Sequence, residues 1–222
     1  MWDGSWSPSV RGSTPNKDEE GPAITYRLPM FPLSSVLLPD MVLPLHVFEP
    51  RYRQLMHDVG PSGEFGVVMI ERGHEVGGGD VRADVGAVAR VLQAEELDDG
   101  RWLVVTIGTR RVRVSSWLPD DPYPVAEVDD LPDISADVDL DAVRAALDRV
   151  LALTDRLGGD VVDAELSPSP VDAVYQAAIM APLGPIDRLR LLSCDGLQER
   201  ADLLVEQLRE LEDVLRFQLD DG

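Results

Sequence analysis

Hydrophobic residues in the first half of the chain follow the two-residue period of β-strands. Residues 65–70 form a short apolar run rich in β-formers, and residues 85–97 alternate loosely between apolar and polar positions. The turn sequence Asp-Asp-Gly at residues 98–100 separates that stretch from another apolar run at residues 102–107. We therefore expect mainly β structure in this half, with a hairpin at the Asp-Asp-Gly turn.

Beyond residue 138 the hydrophobic period changes to that of an α-helix. Apolar side chains recur every three or four residues from residue 140 to residue 157, where two glycines end the pattern. Further helices are predicted from Pro170, near Ile186 and over the leucine-rich residues 197–215. The second half therefore resembles a small helical bundle.

These two periods divide the chain into parts. Residues 1–25, rich in Ser, Pro, Gly and charged residues, are expected to form a disordered tail. A β-rich part is predicted over residues 26–131 and a helical part over residues 138–220, which together indicate an α+β fold. With 222 residues and 44% hydrophobic content, the chain can bury one substantial core or two smaller ones that share an interface.

Residues 28–53 are mostly apolar, yet they contain five prolines. Proline fixes φ and removes a backbone donor, so one long helix cannot form here. The segment is instead predicted to consist of short extended pieces joined by turns. A helix is expected to begin at Pro50, because proline is well suited to the first helical position.

Composition and charge limit which binding partners and which cellular compartment we expect. The net charge of −21 repels polyanions, and alternation along a strand splits Arg110, Arg111 and Arg113 between its two faces, so no nucleic-acid partner is expected. No apolar stretch reaches the roughly 20 residues that span a bilayer, and the first residues do not resemble a secretory signal. The single cysteine, Cys194, excludes an internal disulfide and is compatible with a cytoplasmic location without a membrane partner.

The residues needed for several catalytic chemistries are missing from the sequence. No G-x-x-x-x-G-K-[ST] loop is present to bind nucleotide phosphates. The only lysine, Lys17, lies in the predicted tail, so a Ser-Lys dyad is excluded. His46, His57 and His74 show no metal-ligand spacing, and no G-x-S-x-G elbow accompanies them. We expect neither enzymatic activity nor a cofactor or metal.

An ordered set of motifs resembles the N-terminal, substrate-binding domain family of the ATP-dependent Lon proteases. The family opening appears at residues 28–33 as Leu-Pro-Met-Phe-Pro-Leu and at residues 43–52 as Leu-Pro-Leu-His-Val-Phe-Glu-Pro-Arg-Tyr. The later motifs follow in order, as Phe-Gly-Val at residues 65–67, Asp-Gly-Arg at residues 99–101 and Pro-Tyr-Pro at residues 122–124. The resemblance covers about residues 26–215.

This resemblance implies a PUA-like, mostly antiparallel β-barrel followed by the helical bundle. It also implies recognition of unfolded or degradation-tagged polypeptide, here in a stand-alone chain without the ATPase and peptidase domains. Such a module would deliver clients to a separate protease or withhold them. Two alternatives remain open, an adapter for one folded protein partner and a binder of small ligands or unrecognised hydrolase.

Two groups of residues are candidates for the binding site. The loop after the first strand carries apolar side chains that either contact clients or cover one end of the barrel. The polar motif residues are interpreted mainly as structural, with Glu49 and Arg51 as an ion pair at a helix start and His46 as a half-buried side chain. The loop candidates are Val36, Leu37, Leu38 and Met41, and the motif residues are Pro44, His46, Phe48, Glu49, Arg51 and Tyr52.

Overall fold

The computed structural model describes residues 25–72, 81–162 and 164–220. Over these residues six strands are followed, with one helix inserted after the second strand, by four further helices. The strands are β1 (Tyr26–Leu33), β2 (Val42–Val47), β3 (Glu64–Arg72), β4 (Val81–Glu96), β5 (Trp102–Trp117) and β6 (Val125–Leu131). The helices are α1 (Pro50–Val59), α2 (Leu140–Arg156), α3 (Pro170–Met180), α4 (Pro185–Ser193) and α5 (Leu197–Asp220).

The strands form one mixed sheet in the order β2-β5-β4-β3-β1-β6. β1 and β3 are parallel, and the other described pairings are antiparallel. The second half of β5 also pairs with β6, which closes β5, β4, β3, β1 and β6 into a ring. The predicted mostly antiparallel sheet is present, but it is not a clean barrel, because β2 lies outside the ring. Among the described residues β2 pairs with β5 alone, and α1 packs between β2 and the end of β1.

Local sequence signals explain the best-predicted elements. The hairpin between β4 and β5 is confirmed, and its Gly100 adopts a φ of 77°, which glycine accepts without strain. The helix predicted from Pro50 is also confirmed, with Pro50 at its first position. The tail predicted over residues 1–25, apart from Thr25, lies outside the described residues, as do Lys17 and His74.

The buried apolar side chains of the described residues form three hydrophobic clusters. One lies inside the sheet under α1, and a second, smaller one contains Met30, Val88 and Val112. The largest cluster includes residues from α2, α3, α4 and α5 together with Met69, Ala83 and Val85 of the sheet. The β-rich and helical parts therefore share a core and pack as one unit.

The segment between β1 and β2, residues 34–41, directs its apolar side chains into the interior of the protein and not toward solvent. Val36, Leu37 and Leu38 are buried, and Met41 is partly buried. Val36 and Leu38 pack into the core shared with the helices, whereas Leu37 points into the cluster under α1. Of the two interpretations of these side chains, client contact and cover for one end of the barrel, their burial agrees with the second.

A turn at the end of this segment places Asp40 in an unusual conformation. Met41 N donates to Leu38 O at 3.1 Å, and Asp40 has a φ of 64°. Asp40 N then donates to Gly108 O, and Gly108 N donates to Met41 O, both at 2.9 Å. The result is a bulge opposite Gly108, where an added Cβ would lie 2.1 Å from Leu38 O.

The Asp40→Asn substitution is expected to raise the free energy of unfolding by less than about 0.5 kcal/mol at neutral pH, because solvent screens much of the charge of this largely exposed side chain. Asparagine tolerates this conformation equally well. Burial, and secondly the charge of Asp172, raise the pKa of the Asp40 carboxyl, so its ionised form opposes folding. The gain should therefore be present above that raised pKa and vanish as pH falls below the pKa of an unfolded aspartate, about 3.9. Urea unfolding at pH 7 and pH 3 checks this, and an equal gain at both pH values would contradict the electrostatic cause.

Candidate functional site

The outer face of β2 and the first half of β5 is apolar and open to solvent. Directly opposed residues of the two strands lie on the same face of the sheet, and three such pairs project outward. Val42, Phe48 and Leu103 are 54%, 55% and 45% exposed. The outward pairs, named here the β2–β5 face, are Val42 with Ile107, Pro44 with Val105 and His46 with Leu103.

A polar strand borders this face on one side. Arg90, Gln93 and Glu95 of β4 lie opposite Ile107, Val105 and Leu103 in the next ladder. An antiparallel sheet with one solvated face normally carries polar side chains across that face. Here β4 follows that rule at these three positions, whereas the neighbouring β2–β5 face is mainly apolar.

On the other side of β2 lies a groove of about 200 Å³. The unpaired edge of β2 and the end of β1 form its walls, and the start of α1 closes it. The rings of His46 and Phe48 are 6.2 Å apart, so the outer face and the groove are continuous around β2. The groove is lined by Phe31, Pro32, Leu33, Pro44, Leu45, His46, Val47, Phe48, Glu49 and Tyr52.

Helix α1 is fixed at both ends against the sheet. At its start Tyr52 is buried and stacks on Phe31, with ring centres 4.1 Å apart. Near its end Asp58 accepts a hydrogen bond of 2.7 Å from the hydroxyl of Tyr123. Burial and this hydrogen bond raise the pKa of Tyr123 to about 12, and the same bond lowers the pKa of Asp58. Tyr123 therefore stays protonated at neutral pH and keeps donating, which holds the groove wall in place.

The ion pair expected at the helix start is present. Arg51 Nε lies 3.1 Å from Glu49 Oε2, and the Arg51 guanidinium carbon lies 4.5 Å from the centre of the Tyr52 ring. Glu49 lines the groove as well, so the pair both anchors α1 and borders the candidate site.

The structure brings most of the motif residues together but separates them from the loop candidates. Pro44, His46, Phe48, Glu49 and Tyr52 line the groove, and Arg51 stands beside it. The prediction of a half-buried His46 is wrong, since the side chain lies on the outer face of an edge strand and is exposed. The loop candidates Val36, Leu37 and Leu38 lie in the interior.

Sequence reasoning missed Val42, Leu103, Val105 and Ile107 as surface residues. The signal that could have found them is the lack of alternation in β2 and β5. In both strands apolar residues occupy odd and even positions alike, so both faces of each strand are apolar. In this fold one of these apolar faces stays open to solvent, as the exposure of Val42 and Leu103 shows.

The remaining chemistry-bearing groups do not gather at the groove. Burial raises the pKa of the Cys194 thiol, and its sulfur donates to Arg190 O at 3.4 Å, which disfavours a reactive thiolate. Across the described ranges, no three His, Cys, Asp or Glu side chains converge as a metal site would require. None of the described helices combines the length and hydropathy needed to cross a bilayer.

The described residues thus form a mixed sheet packed on a helical bundle, with an apolar face and a groove around one edge strand. The family of this chain is shown by comparison with known proteins. Residues 27–210 match the family described as the ATP-dependent protease La (LON) substrate-binding domain. The chain therefore belongs to the Lon substrate-binding domain family, as the motifs indicated.

Individual relatives agree with this assignment. Lon protease 2 of Herpetosiphon aurantiacus is 29% identical over 210 residues, which make up 90% of this chain and 26% of that protease. Lon protease 2 of Sorangium cellulosum is 29% identical over 202 residues, or 85% of this chain and 25% of the relative. The chain thus spans about a quarter of the length of these proteases.

Solved structures show the same fold. The crystal structure of a Lon N-terminal domain protein from Xanthomonas campestris superposes with a TM-score of 0.63 at 30% identity. That match covers 82% of this chain and 98% of the other. The N-terminal domain of a Lon protease from the Mycobacterium avium complex gives a TM-score of 0.58 at 18% identity, covering 83% of this chain and 98% of its own.

Proposed function

We propose that this chain binds apolar, extended segments of unfolded or degradation-tagged polypeptides and does not itself catalyse a reaction. The observation that carries the proposal is the β2–β5 face, whose exposed apolar side chains continue into the groove around β2. Membership of a family described as substrate-binding supports it. A module of this kind delivers its clients to a protease or withholds them from it.

Hydrophobic burial supplies most of the affinity in this proposal. Covering about 400 Å² of apolar surface contributes about 10 kcal/mol before the costs of association and of ordering the client. Folded proteins keep such apolar segments inside, so the same surface discriminates unfolded clients from folded ones without reading a particular sequence. The polar β4 border keeps the remaining sheet surface solvated.

The Phe48→Ser substitution is expected to weaken client binding about tenfold, because it removes the large exposed ring at the mouth of the groove. The matched control is Phe217→Ser, since Phe217 is 66% exposed on α5 and lies in the helical part. Binding of a labelled, permanently unfolded polypeptide at physiological salt measures the effect, with its folded counterpart as the specificity control. Thermal unfolding confirms that both variants fold.

The results for the two variants distinguish the β2 surface from the helical part as the site of client binding. A loss of affinity in Phe48→Ser alone supports the β2 surface, whereas a loss in Phe217→Ser alone moves the site to the helical part. Absence of binding by the unchanged protein contradicts the proposed function.

An adapter role for one folded partner is the second candidate function. It is favoured by Val214 and Phe217, which are exposed three residues apart on the same side of α5. This role predicts a single stoichiometric partner and no preference for unfolded polypeptide.

A further inference from the structure

At the end of β1 a backbone carbonyl faces the groove, but no backbone N–H does. Met30 N donates to Pro124 O on the side away from β3. Backbone groups alternate in direction along a strand, so Pro32, two residues later, also directs its backbone away from β3 and toward the groove. Proline has no N–H, which leaves only the Pro32 carbonyl on this wall.

The edge of β2 repeats this arrangement. Gly108 N donates to Met41 O, so alternate residues from Met41 onward direct their backbone groups to β5. Pro44 and His46 fall in the other set and direct theirs outward. Among the described groove-lining residues of β1 and β2, the outward backbone groups are therefore the carbonyls of Pro32, Pro44 and His46 and one N–H, that of His46.

This excess of acceptors decides what can occupy the groove. A client strand that extends the sheet needs alternating donors and acceptors, and the two prolines remove two donors. Carbonyls in an apolar groove are costly to cover unless the ligand brings donors of its own. A guanidinium fits this demand, because it has five N–H donors, is weakly hydrated and packs against aromatic rings.

The charge of the protein and the aromatic lining of the groove also favour a guanidinium. Glu49 lines the groove, and it already holds the Arg51 guanidinium against the Tyr52 ring. The net charge of −21 attracts cations to the whole surface. We propose that the groove receives an arginine side chain of the client, whose neighbouring apolar residues pack on the β2–β5 face. This inference rests on the proposed function and gives it a substrate preference.

A peptide series tests this preference with the full chain. Labelled peptides of one apolar, extended sequence differ at a single central position, which is arginine, lysine, citrulline or glutamate. Fluorescence anisotropy at physiological salt should show arginine binding about tenfold tighter than citrulline, which has nearly the same shape without the charge. Lysine should fall between them, and glutamate should bind most weakly. In the Glu49→Gln variant the ratio of arginine to citrulline affinity should shrink.

The possible results distinguish this inference from the proposed function. If the arginine, citrulline and glutamate peptides bind equally well, the arginine preference is wrong and the polypeptide-binding function stands. If none of the four peptides binds, both proposals are overturned. The comparison of arginine with citrulline uses the unchanged protein, so it decides the question even if Glu49→Gln disturbs the start of α1.

Discussion

Replacing Asp133 by alanine is expected to lower the free energy of unfolding by about 3–5 kcal/mol, the cost typical of breaking a buried ion pair. Asp133 lies in the connection between β6 and α2 and forms ion pairs with two arginines. Its Oδ1 lies 3.0 Å from Arg111 Nη2 and 2.7 Å from Arg200 Nη1. These arginines are only 2% and 1% exposed, so alanine leaves two buried charges without their carboxylate.

The rest of this cluster shows why one carboxylate suffices for two cations. Arg111 donates to the carbonyls of Leu192 and Cys194, and Arg200 donates to those of Leu191 and Cys194. These carbonyls belong to the end of α4, where the helix dipole concentrates negative potential. The carbonyls can share the charge with Asp133 but cannot replace it.

An exposed ion pair on the same strand provides the control. Arg113, two residues after Arg111, lies 3.1 Å from Asp195, and both side chains are largely exposed. Asp195→Ala should change the free energy of unfolding by less than about 1 kcal/mol, because solvent screens such pairs. Urea denaturation of the two variants gives the comparison. Similar losses in both variants would mean that the buried cluster contributes no more than a surface pair.

This cluster also joins the parts of the molecule. Arg111 belongs to β5, which carries half of the β2–β5 face, and Arg200 belongs to α5. Tyr175 of α3 donates its hydroxyl to Asp133 Oδ2 at 2.9 Å, and burial raises the pKa of this tyrosine. The strand that carries half of the β2–β5 face is thereby fixed to α3 and α5 through a single carboxylate.

The sequence predicted this fold wherever the determining interaction is local. The start of α1 follows from Pro50 itself, and the hairpin follows from the turn residues before Arg101. The change of hydrophobic period near residue 138 separated strands from helices for a similar reason, since each period is set by neighbours along the chain.

The sequence could not predict burial decided by distant segments. Arg111 and Arg113 look alike in sequence, yet only Arg111 is buried, against carbonyls at the end of α4 some 80 residues later. Val36 and Leu38 form an apolar loop that resembles an exposed surface until helices far along the chain cover it. The β2–β5 face was missed for the opposite reason, since nothing in the described part of the chain covers residues such as Leu103.

The second large effect is expected for Leu38→Ala, which should lower the free energy of unfolding by about 2–5 kcal/mol. Leu38 is 0% exposed and packs in the core that the sheet shares with the helices. Its backbone is equally confined, because Leu38 O accepts from Met41 N and lies close to Gly108. A cavity at this position has little freedom to collapse, which favours the upper part of the range.

The same substitution at an exposed leucine separates stability from binding. Leu103→Ala removes a side chain that is 45% exposed on the β2–β5 face, so it should cost less than about 1 kcal/mol of stability. It should nevertheless weaken client binding several-fold, because it removes apolar contact surface. Leu38→Ala, measured at a temperature where it remains folded, should bind clients as the unchanged protein does. Both readouts are obtained from thermal unfolding and polypeptide binding of the two variants.

These two variants decide between the interior loop and the exposed face as the site of client binding. If Leu38→Ala stays as stable as the unchanged protein and loses binding, the segment at residues 34–41 opens to clients and the loop is the site. If Leu103→Ala loses binding without losing stability, the client rests on the sheet face. The chemical change is identical in both variants, so only the position of the leucine in the fold can account for the difference.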